Sequence, residues 1–468
     1  MCGIAGFIND TPINVKSQIV KDMTDVIAHR GPDEYGTMID EHAALGFRRL
    51  SIIDLHGGSQ PMYNEDGNLA VTFNGEIYNY KPLREELIKA GHTFHTDCDT
   101  EVLVHGYEEW GKGLLNRLRG MFAFVIWNKS TQELFGARDH FGIKPFYYAQ
   151  MNGTFMYGSE IKSLLRHPDF KKELNENALK PFMTFQYPAI NETFFKGVFK
   201  LREGNCFTYK NGEMKIEQYY DPNFKETKQR LNELVDSIDK TVCDSVQAHQ
   251  IADVEVGSFL SSGVDSSYVA AVARPEHTYS IGFAGGRYNE SKQASELAKI
   301  IGLNNKSEII DAADAFRYFP QIQWYLDEPD SNFSCVPLFF LAKLASQDLR
   351  VVLSGEGADE LFAGYIDYGV HTRSKLIKVV TRMLAKLPKK LRYAIGRAAK
   401  GKHFHGAWHL YANLAPAEEH FIGQSKVFNE EDAVKLLKPE YRKGPSVRSI
   451  VDALSLIHIS EPTRRTPI

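Results

Sequence analysis

The hydrophobic pattern of this chain changes period near residue 220, so one architecture cannot account for both halves. Up to about Tyr220, short apolar or alternating runs are separated by Asn, Asp and Gly, as in strands and hairpins. They cover Ala43 to Ile53, Leu69 to Phe73 and Phe122 to Trp127, with aromatic-rich hairpins over Glu133 to Ala149 and Gly153 to Gly158. Ser17 to His29 and Lys81 to Ala90 carry apolar residues at helical spacing. After Asp221 a long helical pattern, Thr227 to Gln250, opens an alternation of strand and helix. Strands are expected at Val254 to Leu260, Thr278 to Phe283, Lys306 to Ile310 and Leu349 to Leu353. Helices are expected at Ser266 to Ala273, Glu290 to Ile301, Ala313 to Tyr325 and Pro337 to Gln347. Such alternation specifies a parallel, doubly wound sheet. The expected fold class is α+β followed by α/β, divided near Tyr219-Tyr220-Asp221-Pro222.

The 468 residues allow two or three domains, and a net charge of -4 argues against a general nucleic-acid binder. No apolar run approaches a membrane span, and the N-terminus has no basic segment followed by an apolar one. The five cysteines are scattered without zinc-ligand or redox spacing, which points to a cytoplasmic protein without disulfides. Eleven Lys/Arg and no acidic residue lie between Tyr368 and Ala417, a stretch read as a solvated helical face.

Cys2 becomes the N-terminal residue if Met1 is removed. Its α-amine, with a reference pKa near 8, can then take the thiol's proton and return it to a leaving group. Hydrolysis of a glutamine amide by such a thiol also needs an oxyanion stabiliser and a grip on the α-carboxylate and α-ammonium. Phe73-Asn74-Gly75-Glu76 ends a strand in an expected turn, where the Asn74 amide and the Gly75 N–H could face a developing oxyanion. Arg49 offers a bidentate fork for a carboxylate, and Asp99 a partner for an ammonium. Taken singly these are a hairpin turn, a surface ion pair and a helix cap.

Their joint order, with His29-Arg30-Gly31-Pro32-Asp33 and Asp139-His140-Phe141-Gly142-Ile143-Lys144-Pro145, closely resembles a class II, N-terminal-nucleophile glutamine amidotransferase domain. The resemblance covers residues 2–212. It implies a four-layer αββα sandwich and a γ-glutamyl thioester on Cys2, with Asn74 and Gly75 assisting. The implied glutamine-binding positions are Arg49, Leu50, Ile53, Asn74, Gly75, Glu76 and Asp99.

In the second half, the strand ending at Leu260 runs into Ser261-Ser262-Gly263-Val264-Asp265-Ser266-Ser267 and then a helix. A small-residue loop opening a helix presents backbone N–H groups suited to phosphate, and Asp265 is placed to hold Mg²⁺ on it. Val351-Val352-Leu353-Ser354-Gly355-Glu356-Gly357-Ala358-Asp359-Glu360 repeats strand, small-residue turn and acidic helix start. The pair resembles the PP-loop ATP pyrophosphatase domain of glutamine-hydrolysing asparagine synthetases, over residues 228–453. Ser262 replaces the first Gly of that family's Ser-Gly-Gly-x-Asp-Ser, and its Cβ restricts the loop. The resemblance implies ATP contacts at Leu260, Ser261, Gly263, Asp265, Ser266, Ile281, Ser354 and Gly355. It implies Mg²⁺ held by Asp265 and Asp359, and Glu356 assisting formation of a β-aspartyl-AMP.

The expected activity is therefore glutamine-dependent amidation of aspartate with ATP and Mg²⁺. Partners are the small molecules glutamine, aspartate and ATP, with neither nucleic acid nor membrane; a homodimer is possible. Amidation of another carboxylate and a catalytically silent scaffold are the alternatives. Residues 454–468, ending LIHISEPTRRTPI, resemble translated adapter sequence. The resembled family continues past the point corresponding to Asp452, through a lysine-containing stretch and a Ser-x-Glu-x-Arg-x-Pro-Phe-Leu-Asp motif not found here. The expectation is a chain cut short in its second domain, which hydrolyses glutamine, makes no asparagine and aggregates.

Overall fold

Two antiparallel sheets, each of six strands, dominate the first half of the computed structural model. It describes residues 1–222, 229–285, 289–362, 364–365, 375–402, 406–415 and 427–453. The first sheet runs Val198–Lys200, Tyr147–Met151, Thr154–Gly158, Gly3–Ile8, Ala43–Arg49, Glu34–Ile39 in spatial order. The second runs Glu213–Gln218, Asn205–Lys210, Glu133–Arg138, Gly120–Asn128, Leu69–Ile77, Met62–Tyr63.

Strand alternation sends every second side chain to the opposite face, and the buried clusters follow that rule. Ile4, Leu45, Phe47, Ala70, Val125, Trp127 and Phe207 pack between the sheets. Ala5, Phe7 and Ala44 face outward onto Ile19, Val20 and Met23 of the helix Ile13–Asp25. Val71, Phe73, Phe122 and Phe124 meet Leu83 and Leu87 of Tyr80–Ala90, and Val102, Leu103 and Val104 of Glu101–Trp110. Helix, sheet, sheet, helix is the four-layer αββα sandwich.

Among the described residues, the second half holds four parallel strands, ordered Asn304–Ile310, His277–Phe283, Val256–Phe259, Val351–Leu353. Helices Leu231–Ala248, Val264–Ala273, Ser291–Ile301, Ala312–Leu326 and Cys335–Ala345 alternate with them, as the sequence pattern anticipates.

Three local expectations are corrected. Asn74-Gly75 forms no turn: the strand Leu69–Ile77 runs through it, pairing Asn74 with Ala123 and Gly75 with Phe122. The glycine is needed because a Cβ on Gly75 would lie 2.2 Å from the Met121 carbonyl oxygen, so strand proximity requires it, not turn chemistry. The strand expected over Ala43 to Ile53 stops at Arg49, where the chain curls around that residue's own guanidinium. The first helix begins directly after Pro12 and ends at Asp25. The basic stretch falls largely on Lys375–Ala385 and Lys389–Ala399. Residues 454–468 lie outside the described residues.

The halves are joined by polar contacts at several points. The Asp54 N–H donates to Asp253 Oδ2 over 2.7 Å, Lys180 Nζ lies 3.1 Å from Glu430 Oε1, and Arg350 pairs with Asp33. Ile450 and Val451 of the helix Val447–Ala453 pack on Phe185 and Tyr187.

Candidate active sites in the two halves

Three strands end at one edge of the space between the antiparallel sheets. Cys2 precedes Gly3–Ile8 and shares the face of Ile4, so its thiol turns inward with Ile4 and packs on the inter-sheet cluster. Arg49 ends its strand on the face of Leu45 and Phe47. Asn74 and Glu76 share the face of Ala70, opposite Val71 and Phe73.

The Leu50 N–H donates to Cys2 Sγ at 3.4 Å, and the Leu50 carbonyl oxygen lies 3.6 Å from the same sulfur. Burial pushes the thiol up, while the adjacent chain-terminal amine pulls it down. That amine, here on Met1, is itself lowered to about 5 by burial, with Arg30 and Lys144 adding to the effect. Both polar atoms of the fully buried Asn74 amide lack a hydrogen-bond partner. A buried amide left unsatisfied is costly, so a water or ligand that meets it there is stabilised.

Arg49 is buried and donates to Glu34 Oε1 at 2.8 Å and to the carbonyl oxygens of Ile53 and Asp54. Asp99 is buried too; Oδ2 accepts the Ile77 N–H at 2.8 Å, and burial pushes its carboxyl up to about 6. Gly58 brings Arg49 and the Asp99 loop together. A Cβ there would lie 2.1 Å from Arg49 Nη2 and 3.1 Å from Cys98 Sγ, and Cys98 Sγ lies 3.4 Å from Asp99 Oδ1. Burial and the neighbouring Asp99 also hold the Glu76 carboxyl well above the usual range.

Several charged residues here carried no assigned role in the sequence reading. Lys144, brought down to about 8 by burial, reaches Met1 Sδ at 3.2 Å. Arg30 Nε donates to the Cys2 carbonyl at 2.9 Å, and its Nη1 lies 3.0 Å from Glu160 Oε1. His29 Nε2 lies 2.9 Å from the same oxygen. Lys162 joins Glu160 to Asp327, across the boundary between the halves. Burial alone would raise Glu160; His29, Arg30 and Lys162 outweigh it and hold the carboxylate at about 2. The motifs containing Arg30 and Lys144 were visible in sequence, but nothing local paired them with Glu160 or with one another. A cleft lined by Met1, Arg30, Ser159, Glu160, Asp327 and Glu328 leads from the chain start to the 326–330 loop of the second half.

At the second candidate site, Val256–Phe259 delivers Leu260 into a loop closed by hydroxyls. Ser261 Oγ lies 2.7 Å from Ser266 Oγ and accepts the Gly263 N–H at 3.0 Å. Gly263 caps the helix Val264–Ala273, which carries Asp265 in its first turn. Ser262 is exposed and is not among the residues with positive φ, so its Cβ is accommodated without backbone strain. The Leu260 N–H donates to the Tyr279 carbonyl, and Ile281 follows on that strand. The Ser354-Gly355 turn packs on this loop: a Cβ on Gly355 would lie 2.7 Å from the Ser266 nitrogen and 2.9 Å from the Asp265 carbonyl carbon. The Glu356 N–H donates to Ser354 Oγ at 3.2 Å. Asp359, raised by burial and by the charge of Asp265, stands close enough to that residue to feel it. Two carboxylates close enough to repel one another, one of them in the first turn of the helix that the hydroxyl-lined loop opens, fit a divalent cation bound with phosphate oxygens.

A glutamine amidotransferase domain family matches residues 1–220, and an asparagine synthase family matches residues 237–449. Asparagine synthetase (glutamine-hydrolysing) 1 of Bacillus subtilis (strain 168) is 39% identical over 458 residues, covering 96% of this chain and 71% of that protein. Asparagine synthetase (glutamine-hydrolysing) 3 of the same organism is 32% identical over 389 residues, covering 78% and 63%. With a sandwich that turns the half-buried Cys2 thiol toward its inter-sheet cluster and a parallel sheet that carries two small-residue loops, the chain belongs to the glutamine-hydrolysing asparagine synthetase family.

Proposed function

We propose that the protein converts aspartate, glutamine, ATP and water into asparagine, glutamate, AMP and diphosphate. The observation that carries its glutamine-hydrolysing step is the buried, unpartnered Asn74 amide on the inter-sheet face that also receives Cys2, and family membership carries the synthetase step.

With Met1 removed, the Cys2 amine takes the thiol proton as Sγ attacks the side-chain carbonyl of glutamine. The Asn74 amide and the Gly75 N–H stabilise the oxyanion. Arg49 holds the substrate α-carboxylate and Asp99 its α-ammonium, with Leu50, Ile53 and Glu76 closing the pocket. Collapse of the tetrahedral intermediate passes the proton to the amide nitrogen and expels ammonia; water then hydrolyses the thioester to glutamate. The cleft beside Arg30, Glu160 and Asp327 supports a route for ammonia toward the second site.

There the loops at Leu260, Ser261, Gly263, Ser266, Ser354 and Gly355, with Ile281 behind them, bind ATP. Mg²⁺ held by Asp265 and Asp359 would neutralise charge on the departing diphosphate. Attack of the aspartate β-carboxylate on the α-phosphorus, assisted by Glu356, gives β-aspartyl-AMP, and ammonia displaces AMP. The working units are residues 2–212 and 228–453. The test is which carboxylate stimulates diphosphate release from ATP by the protein. Aspartate alone is expected; preference for another acid overturns the acceptor assignment.

A further inference from the structure

Glu65, His92, His105 and Glu108 come from three separate chain segments, and one ligand atom of each lies within 4.8 Å of all the others. Glu65 follows the short strand Met62–Tyr63. His92 follows Gly91, the left-handed C-cap of Tyr80–Ala90. His105 and Glu108 are three apart on Glu101–Trp110 and share a helix face.

His105 is fully buried, yet neither ring nitrogen has a hydrogen-bond partner. Nδ1 points toward Glu65 Oε2 at 3.2 Å and Nε2 toward Glu101 Oε1 at 3.5 Å, without the alignment of a hydrogen bond. Glu101 is already engaged, accepting from the N–H groups of His95 and Thr96 and from Thr96 Oγ1. His92 Nδ1 lies 3.1 Å from Glu65 Oε1, and Glu108 Oε2 accepts from Asn64 Nδ2 at 3.0 Å. Phe94 packs against the His105 ring, with centroids 4.6 Å apart, and walls one side.

We propose that these four residues form a structural site for a divalent transition ion of the zinc type. Two imidazoles and two carboxylates suit zinc, whereas magnesium and calcium favour all-oxygen sets. Four protein ligands close the coordination shell, which marks a structural site and not a catalytic one. Ligand atoms around one such ion lie at most about 4 Å apart, so Glu65 and Glu108, both exposed, must swing inward slightly. Glu101 Oε1, 3.5 Å from His105 Nε2, is placed to take that ring N–H once the imidazole binds the ion through Nδ1, as an outer carboxylate commonly does. The same Glu101 grips the backbone at His95 and Thr96, just before Cys98 and Asp99. The ion therefore braces the loop that carries Asp99, a role independent of the reaction proposed for the thiol.

The test is calorimetric titration of chelator-stripped full-length protein with Zn²⁺, repeated with Co²⁺ to read ligand-field absorption. The proposal expects a single saturable equivalent with a tetrahedral Co²⁺ spectrum. His92→Ala and Glu108→Gln, at residues that are half-buried and exposed respectively, should each weaken binding about tenfold or more while circular dichroism stays unchanged. Cys2→Ala should bind as wild type does. No binding by wild type, undiminished binding by the His92→Ala/Glu108→Gln double variant, or loss in Cys2→Ala would each overturn the assignment.

Discussion

Lys162 Nζ lies 2.7 Å from Asp327 Oδ1, with both side chains almost wholly buried, and this pair fastens the antiparallel half to the parallel half. Lys162 also contacts Glu160, and its ammonium stands 4.5 Å over the Trp324 ring. The Asp327 Oδ2 accepts the Ile161 N–H, and Glu328 Oε1 accepts the Phe194 N–H at 3.1 Å. A continuous ladder thus runs from the Cys2 carbonyl through Arg30, Glu160 and Lys162 to Asp327.

Lys162→Met would leave two buried carboxylates facing each other without their shared cation. Breaking a buried ion pair by removing one partner costs about 3–5 kcal/mol. The variant should melt earlier in calorimetry. It should also consume more than one glutamine per asparagine formed. An unchanged melting temperature would show that the ladder contributes nothing.

Asp99 carries a pH prediction. Its folded carboxyl is raised to about 6, above an unfolded value of about 3.9. Between those values the empty folded site keeps a proton that the unfolded chain has lost, so this group's contribution to stability falls as pH rises toward 6. Glutamine's ammonium requires the charged form. The KM for glutamine should therefore climb as pH drops below about 6, by about tenfold per unit at the limit. Asp99→Asn should raise KM at neutral pH and flatten that climb; a climb that persists in the variant points to another group.

Asp265→Asn removes one carboxylate from the Asp265 and Asp359 pair. Diphosphate release should fall about 100-fold or more, with glutamine hydrolysis and melting temperature retained. The repulsion that raises Asp359 should also be relieved. Wild-type diphosphate release by the variant would remove Asp265 from the site.

Much of this was legible in the sequence, because two periods, 2 and 3.6, separate the halves and small-residue loops punctuate the second. Element positions in the parallel half agree closely with the alternation of strand and helix. Asn74-Gly75 was misread as a turn because local chemistry makes that pair a hairpin signal, while the close approach of Met121 is set by the neighbouring strand. The sequence marks Arg49 as a candidate carboxylate fork, but not as the post around which residues 53–55 curl. Glu160, Lys162 and Asp327 escaped notice because their pairing depends on the two halves meeting. The Glu65, His92, His105, Glu108 cluster escaped for the same reason, since no ligand spacing survives across three segments.

The central claim is that amide nitrogen leaves glutamine at Cys2 and arrives on aspartate. The most direct measurement follows isotopically labelled amide nitrogen from glutamine into asparagine, using the protein with ATP and Mg²⁺. The account predicts labelled asparagine from wild type. Cys2→Ala should give none, yet still form unlabelled asparagine when ammonia is supplied. Labelled asparagine from Cys2→Ala, or none from wild type with a free N-terminal Cys2, would contradict it.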